Sequence, residues 1–188
     1  MKNIPDQEVI ESVKKGNQSD FSILVDRYKN KAFSLLKRML KNEFDAEEVL
    51  QDCFLKAYNS LNNFKGESKF STWFYRIVYN TALTRLSSKK RKTETEMSSI
   101  DDHLNLESSY RSNISDSEDV SEIINKLVNQ LPEKHSAVLS MFYLDEMSCE
   151  EISEAMNISV SNVKVLLYRS RNALRDIIIK QNLKSELI

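Results

Sequence analysis

Glycine and proline each occur only twice in this chain of 188 residues. Sheets joined by tight turns ordinarily need more of both, because glycine supplies left-handed backbone and proline presets turn geometry. Apolar residues instead recur at three- and four-residue steps, as in Phe21, Leu24, Val25 and Tyr28, which is the spacing of one helix face. The sequence therefore predicts an all-α fold.

The formal net charge is only −1, but the charges are separated along the chain. Residues 64–92 carry eight Lys or Arg and one acid, and residues 159–188 carry six Lys or Arg and two acids. The intervening residues 93–119 carry eight acids and one Arg. Two basic surfaces separated by an acidic strip indicate a nucleic-acid partner in spite of the net charge.

The acidic strip is also rich in serine and poor in large apolar side chains, so it cannot bury enough surface to offset chain entropy. It predicts a flexible acidic linker at residues 93–118 between two small helical domains, residues 1–92 and 119–188. Helix starts are predicted at Pro5, Asp20, Asp45, Ser71, about residue 119, Pro132, Ser148 and Ser159. The helix that starts at Ser71 is expected to end near Leu86, before two serines and a basic run.

Several classes of protein can be set aside. No stretch approaches the roughly 18–20 uncharged apolar residues that span a bilayer, and residues 1–6 have no apolar signal core, so a cytoplasmic location is expected. Cys53 and Cys149 are isolated and expected to be reduced thiols, and His103 and His135 are equally isolated. No metal-ligand cluster, nucleophile–base pair or phosphate-binding glycine loop is recognisable. We therefore expect no catalytic residues, no metal and no cofactor.

Residues 148–175 carry the strongest functional pattern. A capping box at Ser148 starts a short helix, a turn follows at residues 157–158, and Ser159 can cap a long second helix. This is the helix-turn-helix arrangement, in which the start of the second helix enters a DNA major groove. The candidate contacts on its outer face are Ser159, Ser161, Asn162, Lys164, Val165, Tyr168, Arg169 and Arg171. The alternative is a plain helical hairpin with a solvated basic face.

A second pattern is the basic, aromatic segment at residues 64–92. Single-stranded DNA is bound by cations along its backbone and aromatic rings under its bases, each stacked base being worth about 1–3 kcal/mol. Both kinds of side chain are present: Phe64, Lys65, Lys69, Phe70, Trp73, Phe74, Tyr75, Arg76, Tyr79 and Arg85. Rings and cations are therefore expected to converge on an exposed segment. The alternative is that most of the rings, Phe74 among them, belong to the core.

A third pattern is the acidic helix that is predicted to start at Asp45. Its candidate contacts are Asp45, Glu47, Glu48, Gln51, Asp52 and Phe54. The helix macrodipole favours acids at a helix start, which alone explains the first of them. Gln51 and Asp52 extend the polar face further and favour a docking surface for a basic partner.

These three patterns, in this order, resemble the sigma-70 family of bacterial RNA polymerase sigma factors, in its extracytoplasmic-function (ECF) branch. Residues 45–58 are similar to region 2.2 of the family and residues 64–77 to regions 2.3 and 2.4. Residues 131–134 and 148–174 are similar to region 4. The resemblance covers most of the chain and implies a promoter-recognition subunit rather than an enzyme.

The resemblance also implies a role for each pattern. The acidic helix would dock on the clamp helices of the polymerase beta-prime subunit, and region 4 would meet the beta flap. The loop at residues 62–70, which includes Asn63, would accept a base flipped from the −10 element, with Trp73 and Phe74 at the upstream edge of the melted region. The DNA-facing side of the following helix would be lined by Arg76, Asn80 and Arg85. The helix-turn-helix would read the −35 element, and an anti-sigma factor would be a further partner.

Two departures from the family pattern leave questions open. Asn157 stands where the turn usually has Gly, although Asn tolerates the left-handed conformation better than most residues. Residues 161–165 replace the usual start of the recognition helix, which leaves the promoter sequence undefined. Two other functions remain possible on the sequence alone: a stand-alone helix-turn-helix regulator and a helical protein-binding adaptor.

Overall fold

The computed structural model describes residues 4–98 and 120–181, which form helices joined by short turns, without a strand in either range. The α-helices of these residues are α1 (Asp6–Lys14), α2 (Phe21–Leu40), α3 (Glu43–Ser60), α4 (Phe70–Ser98), α5 (Val120–Asn129), α6 (Glu133–Leu139), α7 (Cys149–Met156) and α8 (Val160–Lys180). The all-α prediction is confirmed. Within the two described ranges, no helix combines the length and apolar character that crossing a bilayer requires.

Helices α2, α3 and α4 pack against one another around an apolar core. Its largest fully buried side chains are Leu24, Leu35, Leu36, Met39, Leu61 and Phe74. Each such burial contributes about 1.5–3 kcal/mol before chain entropy is counted. Helix α1 lies across α2, with Val9 and Ile10 buried. Asp6 holds it there by accepting hydrogen bonds from Arg27 and Tyr28.

The second group of helices comprises α5, α6, α7 and α8. A π-helical turn, Ser140–Leu144, continues α6, and both α6 and α7 pack on α8. The predicted capping box is confirmed, because Ser148 Oγ accepts from the Glu151 N–H and the Glu151 carboxylate accepts from the Ser148 N–H. Ser159 caps α8 as predicted by accepting from the Asn162 N–H.

Three predicted boundaries were wrong. Helix α3 begins at Glu43, because the side chain of Asn42 accepts from the Asp45 N–H and serves as the cap. Helix α4 begins at Phe70 and not at Ser71. It also continues well past Leu86, to Ser98, because lysine and arginine are good helix formers and the serines do not break it. Residues 99–118 of the predicted linker lie outside the described ranges.

The two groups of helices contact each other directly, α4 against α7 and α2 against α6. Buried side chains of α1–α4 and of α6–α8 form one continuous cluster, whereas Ile123 and Leu127 of α5 form a smaller cluster against α8. Asp145, after the π-helical turn, faces Tyr75 of α4 and the cations Lys31 and Arg38 of α2. Burial raises the pKa of Asp145, although the tyrosine hydroxyl and both cations oppose that shift. Arg38 also donates to the side chain of Asn125 on α5 (2.6 Å).

Both cysteines are free thiols, as expected. Cys53 is buried in the α2–α4 core, and Cys149 is half-buried at the start of α7. Burial raises the pKa of Cys53 to about 11. Because the thiolate is the reactive form, this side chain is inert packing.

Candidate nucleic-acid interface

Most rings of the basic, aromatic segment point inward. The exposed fraction of the side chain is 6% for Phe64, 3% for Phe70 and 0% for Phe74. Phe74 stacks on Phe54 of α3 at 4.7 Å between ring centroids, and Phe70 stacks on Phe74 at 5.9 Å. The expectation of exposed rings was therefore wrong for Phe64 and Phe70, and for Phe74 the alternative, a ring in the core, is confirmed. These rings are buried because α4 packs through them on α2 and α3.

Trp73 is the ring of this segment that remains half-exposed. Its indole lies 5.1 Å from the Phe64 ring and 5.6 Å from the Phe70 ring, measured between centroids. The indole thus packs against the buried rings of Phe64 and Phe70. Three exposed polar or basic side chains line the cleft that Trp73 also lines: Asn63, Lys65 and Arg76. Lys69 and Asn80 are exposed as well, but Asn80 lines a separate pocket further along α4. One half-exposed ring amid cations can hold a single stacked base beside a phosphate.

Trp73 lines a cleft of about 670 Å³. One wall is the loop at residues 63–68 together with Thr72, Trp73 and Arg76 of α4. The other wall belongs to the helix-turn-helix and is formed by Ser153, Glu154, Asn157, Ile158 and Ser159. The sequence had not indicated that the two candidate DNA-binding elements face each other.

An ion pair links the two walls of the cleft. Lys69 Nζ lies 2.8 Å from Glu151 Oε1. Its hydrogen bond to Glu151 raises the pKa of Lys69. Partial burial would raise the pKa of Glu151, but the Lys69 ammonium and the Ser148 N–H outweigh burial and lower it. A lysine expected to meet DNA is thus paired across the cleft.

Arg85 lies on the opposite side of α4 from this cleft. Its guanidinium pairs with Asp45, 2.8 Å away, and with Glu48, and Lys89 pairs with Asp45 as well. Hydrogen bonds from Lys89 and Arg85 lower the pKa of Asp45 in spite of its burial. Two residues assigned by sequence to different surfaces, Asp45 and Arg85, therefore join α3 to α4.

The outer face of α3 keeps the remaining candidate docking residues exposed. They are Glu47, Glu48, Gln51 and Asp52. Phe54 is half-buried, because its ring stacks on Phe74. Sequence analysis missed two apolar neighbours, Phe44 with 83% and Leu55 with 60% of the side chain exposed. Their positions off the buried stripe of α3 were the signal that could have identified them.

The helix-turn-helix has the predicted geometry. Asn157 adopts the left-handed conformation, with φ 53°, and Ser153 Oγ closes the turn by donating to the Ile158 carbonyl (2.5 Å). Val163 and Leu167 anchor α8 in the core. All of the predicted contacts on this helix are exposed: Ser159, Ser161, Asn162, Lys164, Val165, Tyr168, Arg169 and Arg171.

Arg171 is held by a residue that sequence analysis missed. Its Nε donates to the Tyr143 hydroxyl at 2.7 Å, and its guanidinium carbon lies 5.5 Å from the Tyr143 ring centroid and 5.7 Å from that of Phe142. No periodicity could have indicated this pairing, because it joins the π-helical turn to α8.

Comparison with known proteins matches both groups of helices. The model of Sigma-70 region 2 matches residues 24–92, and that of Sigma-70, region 4 matches residues 121–174. The ECF RNA polymerase sigma factor SigW of Bacillus subtilis (strain 168) is 36% identical over 173 residues, which is 88% of this chain and 92% of that protein. The ECF RNA polymerase sigma-E factor of Escherichia coli (strain K12) is 34% identical over 178 residues, 91% and 93% of the two chains.

Solved structures share the fold at lower identity. CnrH in complex with the cytosolic domain of CnrY has a TM-score of 0.67 at 20% identity, covering 93% of this chain and 97% of that chain. RpoE in complex with the anti-sigma factor NepR from Bartonella quintana has a TM-score of 0.66 at 15% identity, covering 85% and 96%. With an exposed helix-turn-helix, both family regions in order and full-length relatives above 30% identity, this chain belongs to the ECF branch of the sigma-70 family of RNA polymerase sigma factors.

Proposed function

We propose that residues 1–92 dock on RNA polymerase and open the −10 element, and that residues 119–188 grip the −35 element. Residues 93–118 then serve as the connection between the two. The observation that carries this proposal is the outer face of α8, where the predicted contacts are exposed behind a capped, left-handed turn. A helix presented in this way fits a major groove.

Docking on polymerase is assigned to the exposed face of α3. Gln51 and Asp52 supply polar and acidic groups, and Leu55 and Phe44 add exposed apolar area. An apolar centre with a charged rim is the usual composition of a protein–protein interface. Asp45 supports this face from beneath, through its ion pairs to α4, and does not itself make the contact.

Strand opening is assigned to Trp73 and the cations of the loop. A base that stacks on the half-exposed indole gains about 1–3 kcal/mol, and Lys65 and Arg76, which line the same cleft, are assigned to its phosphates. Captured bases offset the few kcal/mol that unstacking costs. Binding energy therefore opens the strands, and the proposal requires no nucleotide hydrolysis.

Recognition of the −35 element is assigned to α8. Ser161 and Asn162 lie in its first turn, where small polar side chains reach base edges. Lys164, Arg169 and Arg171 follow on the exposed side and are assigned to phosphates or bases. The exposed apolar side chain of Val165 suits a thymine methyl group.

An anti-sigma factor is proposed as the regulatory partner. Two structures with the same fold, CnrH and RpoE, were solved with the cytosolic domain of CnrY and with the anti-sigma factor NepR respectively. For this chain, a polypeptide that binds the exposed α3 face would compete with polymerase.

Run-off transcription tests the proposal directly. Purified chain is added to core polymerase on genomic fragments, and new start sites are mapped. New starts that depend on the chain are expected. If no start is redirected and the chain alone binds duplex DNA, it acts as a stand-alone regulator. If the chain binds neither DNA nor polymerase, it acts as a protein-binding adaptor and not as a sigma factor.

A pair of variants tests the docking surface in the same assay. Leu55→Asp places a charge at the centre of the α3 face and should abolish association with core polymerase. Asn30→Asp adds the same charge at an exposed position of a different helix, α2, and should leave association within about twofold. Equal losses in the two variants would contradict the assignment of this face.

A further inference from the structure

Helix α1 precedes the residues that match the region 2 model, 24–92, yet it touches the loop beside Trp73. Lys14 Nζ donates to the backbone carbonyl of Phe64 at 2.7 Å. A methyl group added at Gly66, two residues further along the loop, would lie 3.7 Å from Gln7 Oε1. Gln7 and Lys14, seven residues apart and therefore on one face of α1, thus lie beside the same loop.

Helix α1 is firmly placed for this contact. Asp6, in its first turn, accepts from Arg27 and Tyr28 of α2. At the other end, Ser12 donates to Asp20 at 2.5 Å. Hydrogen bonds therefore hold the first turn of α1 to α2, and its last turns to the 3₁₀ turn that precedes α2. The backbone of Lys14 is thereby held in place beside the loop.

The carbonyl that Lys14 holds belongs to the residue on which the indole rests. The Phe64 ring lies 5.1 Å from Trp73 and 6.0 Å from Phe70 between centroids. Its backbone is extended, with φ −70° and ψ 112°, so its carbonyl lies beyond the last turn of the 3₁₀ helix Leu61–Asn63 and accepts no helical hydrogen bond. The Lys14 ammonium supplies this carbonyl with the hydrogen-bond donor that the neighbouring backbone does not.

We infer that Lys14 is a positioning residue for strand opening: its ammonium fixes the loop carbonyl of Phe64 so that this ring supports Trp73 under a captured base. The inference rests on the proposed function of Trp73. A charged donor on a backbone carbonyl makes a stronger hydrogen bond than a neutral one, which suits a loop that must keep its shape while a base is inserted.

The test uses holoenzymes assembled from core polymerase and the full chain on a promoter identified by run-off transcription. Lys14→Met keeps the length of the side chain and removes the donor, and it should slow strand opening about tenfold, as the loss of one charge-assisted hydrogen bond predicts. Lys14→Arg retains a donor and should restore most of the rate. Lys15→Met removes the same charge from the neighbouring exposed position and should open strands at the wild-type rate.

Salt dependence separates positioning from a direct phosphate contact. If Lys14 bound a phosphate of the single strand, Lys14→Met would lower the slope of log K against log salt by about 0.7. A positioning role leaves the slope unchanged while the opening rate falls. A lowered slope, or equal rates in Lys14→Met and Lys15→Met, would overturn the inference.

The fluorescence of the free chain provides a second readout. Trp73 is the only tryptophan in the sequence, so emission reports on this indole alone. Lys14→Met should shift the emission maximum, and Lys15→Met should not. A wild-type chain that opens no promoter would instead reject the proposed function itself.

Discussion

At the scale of single residues, environment decides what an ionisable side chain does. Asp45 and Asp52 lie on the same helix, but Asp45 is buried between Arg85 and Lys89 whereas Asp52 is exposed. The first therefore joins two helices, and the second remains available to a partner. Arg85, which was expected to contact DNA, instead forms ion pairs with Asp45 and Glu48.

Replacing Asp45 by Asn should lower the free energy of unfolding by about 1 kcal/mol at pH 7, a modest loss because both cations are partly exposed. The ion pairs lower the pKa of Asp45 in the folded chain. Their contribution is thus present above the unfolded pKa of about 4 and is lost as the pH falls through the lower folded value. Urea unfolding at several pH values should show the difference shrink below pH 4. Asp52→Asn, at an exposed position, should leave the free energy of unfolding at pH 7 unchanged.

Trp73 is the residue-scale test of base capture. Trp73→Ala should slow strand opening about tenfold or more, because a stacked base loses about 1–3 kcal/mol, while closed-complex affinity changes little. Permanganate reactivity of promoter thymines measures opening, and footprinting of the unmelted complex measures affinity. Equal losses in both would make the indole a packing residue alone.

At the scale of helices, some boundaries differ from the predicted ones, and one contact between distant elements was not predicted. Helix α4 runs on to Ser98, and α3 starts two residues before Asp45 because Asn42 caps it. The π-helical turn after α6 brings Tyr143 against Arg171 of α8. Element boundaries depend on which side chain reaches an unpaired backbone group first.

The Tyr143–Arg171 pair predicts different effects of two substitutions on −35 duplex binding. Tyr143→Phe removes the hydroxyl that holds Arg171 Nε but keeps the ring, so affinity should fall about threefold, as the loss of one neutral acceptor predicts. Arg171→Ala should cost more and reduce the salt slope by about 0.9 if the guanidinium meets a phosphate. Gel shifts across salt concentrations measure both. An equal slope change in both variants would contradict a positioning role for Tyr143.

At the scale of the whole molecule, the structure packs the two groups of helices together, whereas binding to both promoter elements requires them to be far apart. In the structure, α7 and the turn at Asn157 face the loop beside Trp73, and Lys69 pairs with Glu151 across the cleft. Elements at −10 and −35 are separated by about 25 base pairs, roughly 85 Å at 3.4 Å per pair. Helix α4 includes residues 93–98, so 20 residues of the predicted linker, 99–118, remain. They can span about 70 Å when extended, and the width of the packed helices, about 10 Å each, covers the rest of the distance.

The chain is therefore expected to open when it binds a promoter with polymerase. Dyes at Asn30 on α2 and Asp176 on α8, both exposed, should transfer energy efficiently in the free chain and poorly in the open complex. Cys149 is replaced by Ser so that labelling is specific. High transfer in both states would mean that the cleft between Trp73 and α7 persists on DNA, and that the loop does not capture bases.

The sequence by itself determined the helical class, the helix-turn-helix with its caps at Ser148 and Ser159, and the family, because these depend on local periodicity and on groups three residues apart. The tertiary structure alone decided which of the predicted contacts are available. Phe70 and Phe74 became core, Asp45 and Arg85 became partners, and Lys14 reached Phe64 across 50 positions of sequence. A ring or a charge has the same identity in sequence whether it is buried or exposed, and only the packing of distant helices determines which of the two it becomes.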